Sequence, residues 1–154
     1  MKTTTVRKLL PDVWGFICPV HTPDGGPCGL LNHITMCCQP LTHPSSNPNI
    51  ETILVNLGVS PLKVINSIQS LPVLLNGRLF GYLDDVLVDN FENAIRKYKS
   101  DGTLKETIEC AVLRRIIGKN PIFPGIFINS TEARLMRPVF NLRLNSIEWI
   151  SPLE

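Results

Sequence analysis

The sequence lacks the features of membrane proteins, secreted proteins and autonomous nucleic-acid-binding proteins. No apolar run approaches the 18 or more residues that cross a membrane, and the first ten residues lack the apolar block of a signal peptide. The formal net charge of the 154 residues is only +2, too small for a protein that binds nucleic acid alone through a strongly basic face. We therefore expect an intracellular chain with no membrane partner, which meets DNA or RNA only through a few residues inside a larger assembly.

Motifs for metal binding and catalysis are missing as well. The five cysteines form no paired C-x2-C spacing, and the nearest approach, Cys18, His21 and Cys28, has no second pair that would complete a zinc site. Cys18, His21 and Asp24 lie close in sequence, whereas catalytic cysteine–histidine pairs usually come from distant parts of a fold, so we expect packing. No clustered aspartates could hold Mg²⁺ for phosphoryl transfer. We expect no metal site, no cofactor and no catalytic residue in this chain.

The most informative stretch is 14–32, WGFICPVHTPDGGPCGLLN, which is rich in proline and glycine. Proline removes a backbone donor and glycine admits positive φ, so neither a helix nor a central strand is expected here. Thr22-Pro23-Asp24-Gly25 fits a type I turn. The apolar side chains that need burial are Trp14, Phe16, Ile17, Val20, Leu30 and Leu31. The stretch predicts a stiff, internally packed loop with Asp24 at its tip.

The rest of the chain predicts an α+β fold. Residues 1–13 and 30–38 favour short extended segments, and the prolines of 39–49 indicate a linker. Asn76-Gly77 between two apolar runs predicts a type I′ hairpin. A helix is predicted over 50–57, with Asn49 as N-cap and Gly58 as stop. A second helix is predicted after Asp84-Asp85; it ends at Gly102 and has an apolar stripe formed by Leu87, Phe91, Ala94, Ile95 and Tyr98. Strands are predicted over 107–117, 121–128 and 134–144, the last two joined by a turn at 129–132. Whether a helix runs through Ile65 and Ile68 stays open.

One ordered motif resembles a known family. The string Arg7-x-Leu9-(x)4-Trp14-Gly15-(x)2-Cys18-Pro19-(x)2-Thr22-Pro23-Asp24-Gly25-(x)2-Cys28-Gly29-Leu30 resembles the fork region of the second-largest subunit of multisubunit DNA-dependent RNA polymerases. The Val-His before Thr22, and the Leu-Leu-Asn-His after Gly29, look more like the RNA polymerase I version than the II or III versions.

The resemblance continues through most of the chain. Residues 71–83, LPVLLNGRLFGYL, look like the family's hairpin in the external 2 region, and Arg134, Arg137 and Pro138 fall on its R-x-x-R-P strand. Ala133 stands where the family has glycine, and Ser151-Pro152 replaces its Gly-Thr. The resemblance is loose over 39–70. It implies a fork segment over 1–42, a linker over 43–49 and a module over 50–150. The module would be a small external 2-like set of antiparallel strands and short helices.

What the resemblance implies about function is specific. The chain would be part of the second-largest subunit of DNA-directed RNA polymerase I, a nucleotidyltransferase, and we expect the family's chain to continue upstream of Met1. Its role would be to shape the active-centre cleft and the nucleic-acid path during ribosomal RNA synthesis. The partners would be the largest subunit, the other polymerase I subunits, the DNA template and the RNA–DNA hybrid, in the nucleolus. Mg²⁺ would be held by another subunit, so the isolated chain should be inactive.

The resemblance also assigns residues. Arg7 and the turn residues Thr22, Pro23, Asp24 and Gly25 would lie near the active centre, with Arg7 and Asp24 as a charged pair that sets the position of the fork. Lys2, Arg7 and Lys8 are candidate contacts to nucleic acid. The alternatives are the same region of polymerase III or II, or a stand-alone α+β interaction module. A polymerase segment should expose apolar surface, whereas an interaction module should be stable and bind its partner alone.

Overall fold

The computed structural model describes residues 4–45, 47–61, 70–114 and 123–154. The regular structure of these residues consists mainly of two β-sheets and two α-helices. This confirms the predicted α+β class. Short 3₁₀ turns lie at Thr5–Arg7, Pro11–Val13 and Asp85–Leu87. The helices are α1 (Ile50–Asn56) and α2 (Val88–Ser100), and the strands are β1 (Gln39–Pro40), β2 (Ser60–Pro61), β3 (Ser70–Leu75), β4 (Arg78–Asp84), β5 (Glu109–Leu113), β6 (Gly125–Asn129), β7 (Leu135–Asn141) and β8 (Ser146–Ile150).

The larger sheet has five strands in the order β2-β4-β3-β6-β5, and one core joins it to α1 and α2. Side chains such as Leu54, Phe91 and Ile126 are fully buried in this core. The strands were all predicted to be antiparallel, but β3 and β6 run parallel, with Val73 opposite Ile126. Parallel neighbours need a long crossover, and here β4, α2 and β5 provide it.

The hairpin of β3 and β4 forms where it was predicted. Leu75 lies opposite Arg78, which leaves Asn76 and Gly77 as a two-residue loop. Their φ values are 51° and 78°, the left-handed pair that a type I′ turn requires. The Asn76 side chain also accepts a hydrogen bond from the backbone amide of Ser130 at 2.7 Å, so the turn is tied to the end of β6.

The predicted signals around α2 are confirmed, and Phe91 and Ile95 are buried as predicted, but the buried face begins at Val88 and not at Leu87. Asp84 Oδ1 accepts from the amide of Val86 at 3.2 Å and so caps the 3₁₀ turn that leads into the helix. Gly102, at φ 82°, follows the helix end. Leu87 precedes the helix and is 39% exposed, whereas the next residue, Val88, is buried. Leu87 belongs to the 3₁₀ turn that precedes the helix, so it lies outside the helical stripe.

The smaller sheet, β1-β7-β8, differs most from the predictions. Residues 30–38 form no strand; the strand begins at Gln39, which pairs with Met136 of β7. β8 was not predicted. Residues 129–132 link β6 to β7, which lie in different sheets, so the predicted turn joins two layers. Residues 1–13 were predicted to be extended, but 3₁₀ turns lie there, and Pro11 fits the first position of one of them.

The outer strand predictions match the observed strands in place but not in their bounds. β5 and β7 lie inside their predicted segments, whereas β6 begins at Gly125 and ends at Asn129, one residue beyond its predicted segment. Residues 115–117 and 121–122 of those segments, and the open question about Ile65 and Ile68, lie outside the described residues. No helix in the described ranges has both the length and the apolar character that a membrane span requires.

Candidate functional site

The fork segment is held together by backbone hydrogen bonds between its two arms. The amide of Cys18 donates to the carbonyl of His33 at 2.8 Å, and the amide of Thr35 donates to the carbonyl of Phe16 at 2.9 Å. These bonds close the base of residues 19–32, which we call the fork loop. Because prolines and glycines are frequent in it, the fork loop has isolated bonds in place of a ladder.

The apolar side chains of the fork segment are far less buried than predicted. Phe16 is 2% exposed, but Trp14 is 67% and Val20 82% exposed. Leu30 and Leu31 are 50% and 58% exposed. The prediction of an internally packed loop is therefore wrong for four of the six side chains. In the described part of the fork segment, regular structure is limited to two 3₁₀ turns and the two-residue β1, which offer these side chains little surface to pack against.

Thr22 organises the inside of the fork loop. Its hydroxyl oxygen accepts from the amide of Gly29 at 2.9 Å and donates to the carbonyl of Leu31 at 3.0 Å. A single side chain thus joins the two sides of the loop across seven to nine residues, because its hydroxyl can both donate and accept a hydrogen bond.

The tip of the fork loop contains the other predicted turn residues. Pro23 is half-buried, and Asp24 and Gly25 are exposed. Gly25 has a φ of +80°. At the tip, the amide of Cys28 donates to the carbonyl of Gly25 at 3.3 Å. The hydrogen-bonded turn therefore spans 25–28 in place of the predicted 22–25, and Asp24 lies on the bend before it.

Arg7 reaches the fork loop, but it does not reach Asp24. Its Nη1 donates to the carbonyls of Gly26 and Cys28, both at 2.7 Å. Gly29 makes this approach possible, because a Cβ there would lie 2.6 Å from the Arg7 carbonyl oxygen. Among the described residues no ion pair joins Arg7 to Asp24. The Arg7 guanidinium therefore donates to backbone carbonyl oxygens and not to the predicted carboxylate. Backbone carbonyls are present at every residue, so the sequence does not indicate which of them bind an arginine.

Arg7 and Lys8 lie on one wall of a groove of about 470 Å³ between the first residues and the fork loop. The other described residues that line it are uncharged, and Lys8 is exposed. The groove therefore presents positive charge without a carboxylate of its own. Lys2, the third predicted cation, lies outside the described residues.

The histidines of the fork loop contact each other. The rings of His21 and His33 stack with their centroids 3.7 Å apart and 7° between their planes. This contact was not predicted, since nothing in the sequence pairs residues twelve apart in an irregular loop. Among the described residues no group of three or more potential ligands could hold a metal ion.

The module keeps most of its buried charges in pairs. Glu109 accepts from the Ser151 hydroxyl at 2.7 Å and lies 3.6 Å from Arg134 Nη1. Burial lowers the pKa of Arg134 despite that carboxylate. Lys99 Nζ is 3.1 Å from Glu154 Oε1 and donates to a backbone carbonyl at 2.8 Å. Each of these charges has a partner, and removal of that partner would leave an uncompensated buried charge, which is strongly unfavourable.

Comparison with known proteins identifies the two parts of the chain separately. Residues 1–39 match the family "RNA polymerase Rpb2, domain 3", and residues 80–137 match "RNA polymerase I, Rpa2 specific domain". The chain is similar to the "DNA-directed RNA polymerase I subunit RPA2 homolog" of Caenorhabditis elegans (43% identity), to "DNA-directed RNA polymerase I subunit RPA2" of Homo sapiens (42%) and to the "Probable DNA-directed RNA polymerase I subunit RPA2" of Schizosaccharomyces pombe (37%). Each alignment covers 100% of this chain and 14% of the relative's length.

Proposed function

Because the chain belongs to the family of RNA polymerase I second-largest subunits, we propose that it shapes the active-centre cleft and the nucleic-acid path during ribosomal RNA synthesis from a DNA template. The observation that carries this proposal is the contact of Arg7 with two carbonyls of the fork loop. That contact fixes the shape of the loop while its tip, with Asp24, stays exposed. The polymerase I assignment is confirmed over the polymerase II and III alternatives.

The charges of the fork segment favour nucleic-acid binding at the groove of Arg7 and Lys8 over binding at the tip of the fork loop. Arg7 and Lys8 line a groove that contains no described acidic residue, so a phosphate backbone is attracted there. Asp24 is an exposed negative charge on the loop tip, and it repels phosphates. In this proposal Arg7 has two roles, because its Nη1 holds the loop while its remaining N–H groups face phosphate.

The exposed apolar side chains support an assembly role for the fork segment. Trp14, Val20 and Leu31 are each more than half exposed. Apolar surface on this scale marks contact sites with other proteins or other parts of the same protein. The proposed partners are the largest subunit and the other polymerase I subunits. Mg²⁺ would be held by the largest subunit, and the site of action would be the nucleolus.

The test is an Asp24→Ala substitution in a second-largest subunit that carries this sequence, assembled into RNA polymerase I. We expect elongation rate and fidelity to change by about two- to five-fold, the range of a single exposed charge interaction. Asp101→Ala is the matched control, because Asp101 is an exposed aspartate just after α2, and it should leave both quantities unchanged. Asp24→Glu, which keeps the charge, should lie near the parent. Unchanged elongation and fidelity in Asp24→Ala would contradict the proposal.

A further inference from the structure

Arg137 of β7 lies against the fork segment, far from it in sequence. Its guanidinium carbon is 5.2 Å from the centroid of the Phe16 ring, a distance at which a cation and an aromatic face attract each other. Phe16 is 2% exposed, so the contact is largely removed from water, where such attractions are stronger.

Gly15 leaves the space that this contact needs. A Cβ on residue 15 would lie 2.7 Å from Arg137 Nε and 2.9 Å from its Cδ and Cζ, closer than real Cβ contacts allow. The φ of Gly15 is +81°, and its carbonyl accepts from the Thr35 hydroxyl at 2.6 Å. The backbone of the fork segment is thus shaped around the arginine side chain.

The arginine has no other use within the described chain. Arg96, Arg114 and Arg134 each lie within 4.0 Å of a carboxylate, whereas no described carboxylate pairs with Arg137. Its Nε is buried without a hydrogen-bond partner. A buried N–H without a partner is unfavourable, so the stacking on Phe16 and the close fit to Gly15 are the contacts that favour this arginine position.

We propose that Arg137 is a positioning residue, which fixes the base of the fork segment on β7 through the ring of Phe16 and the open space at Gly15. The smaller sheet already joins the same two parts, since β1 pairs with β7 at Gln39 and Met136. Arg137 adds a second attachment near the base of the fork loop. The fork loop then keeps a set orientation relative to the module. This proposal does not depend on the proposed role in transcription.

Amide hydrogen exchange of the 154-residue chain tests the local effect. The reporter amides are Cys18 and Thr35, whose hydrogen bonds close the base of the fork loop. Arg137→Ala should speed their exchange about five-fold, the scale of a cation–π contact, and leave the amides of β5 and β6 unchanged. Arg137→Lys should give a smaller increase than Arg137→Ala, because lysine keeps the positive charge. Some increase is still expected, because an ammonium stacks less well on an aromatic ring than a planar guanidinium. Arg143→Ala, a control on the same hairpin, should change neither set.

A double-mutant cycle tests the fit to Gly15. Gly15→Ala should speed exchange at Cys18 and Thr35 more than Gly25→Ala does, since Gly25 has nearly the same φ but nothing within 4 Å of its Cβ position. Gly15→Ala combined with Arg137→Ala should cost less than the two single effects together, because removing the arginine removes the clash. Additive effects, equal acceleration in β5 and β6, or no change at Cys18 and Thr35 would each overturn the proposal. If Arg137→Ala does not fold, Arg137→Lys and the two glycine variants decide the same question.

Discussion

Ala133 has a backbone conformation that fits its side chain poorly. Its φ is +62°, in the left-handed region that an L-residue other than glycine enters at a cost of about 1–2 kcal/mol. The family that the sequence resembles has glycine at this position. The conformation is held by the hydrogen bond from the Ala133 amide to the Leu41 carbonyl at 2.9 Å, next to the pairing of β1 with β7.

Ala133→Gly should therefore stabilise the chain. We expect a gain of about 1 kcal/mol, because relief of the left-handed strain exceeds the added flexibility of the unfolded chain. The melting temperature should rise by about 3 °C. Ala94→Gly in α2 is the matched control, and it should lower stability by about 1 kcal/mol. A melting temperature that falls in both variants would show that Ala133 is not strained.

The elements that could be predicted from the sequence are those whose signals are local. The hairpin of β3 and β4 follows from Asn76-Gly77, and the 3₁₀ turn that leads into α2 follows from the Asp84 cap. β1 and β8 could not be predicted in this way. β1 is two residues long and exists only because it meets β7, almost a hundred residues later. The parallel pairing of β3 with β6 likewise depends on the crossover and not on either strand alone.

β5 is the edge strand of the larger sheet, and its exposure to water is limited by the last residues of the chain. The amide of Cys110 donates to Glu154 Oε1 at 3.1 Å. The thiol is buried, and burial, with the nearby Glu154 carboxylate, raises the pKa of Cys110 from 9.0 to about 12. The Cys110 thiol of β5 therefore stays neutral in the folded state below about pH 12.

This burial predicts a loss of stability at alkaline pH. The unfolded chain releases the Cys110 proton above pH 9, whereas the folded chain keeps it until about pH 12. The contribution of Cys110 is therefore complete below pH 9 and is lost as pH rises towards 12, at up to about 1.4 kcal/mol per pH unit. Denaturant unfolding at pH 8, 9 and 10 measures it.

Two variants separate Cys110 from the other groups that titrate in this range. Cys110→Ala should be less stable at pH 8, because it leaves a cavity, but its stability should fall less steeply with pH. Cys28→Ala removes an exposed thiol and should keep the full alkaline loss. The same slope in Cys110→Ala and the parent would contradict the assignment.

At the scale of the whole molecule, the position of the fork segment depends on contacts with residues that are distant in sequence. The motif from Arg7 to Leu30 identified the residues of the candidate site from the sequence alone. Their contacts could not be predicted, since Arg7 binds the carbonyls of Gly26 and Cys28, and backbone atoms carry no side-chain signal. The stacking of His21 on His33 was missed for the related reason that irregular loops have no periodicity.

The two sheets have different roles in the molecule: the larger sheet forms the core of the module, and the smaller sheet connects the module to the fork segment. The larger sheet with α1 and α2 contains most of the buried apolar side chains. The smaller sheet connects this module to the fork segment through β1 and β7. We propose that this arrangement holds the cationic groove of Arg7 and Lys8 beside nucleic acid in the assembled polymerase.

Site-specific photo-crosslinking tests this claim most directly. A photoreactive residue replaces Lys8 in a second-largest subunit that carries this sequence, and RNA polymerase I is assembled on a DNA template with labelled RNA and DNA. Lys97 is the control position, because it is an exposed lysine on α2 of the module. We expect labelled nucleic acid to be attached at position 8 and none at position 97. Equal labelling at both positions, or attachment of position 8 to protein alone, would contradict it.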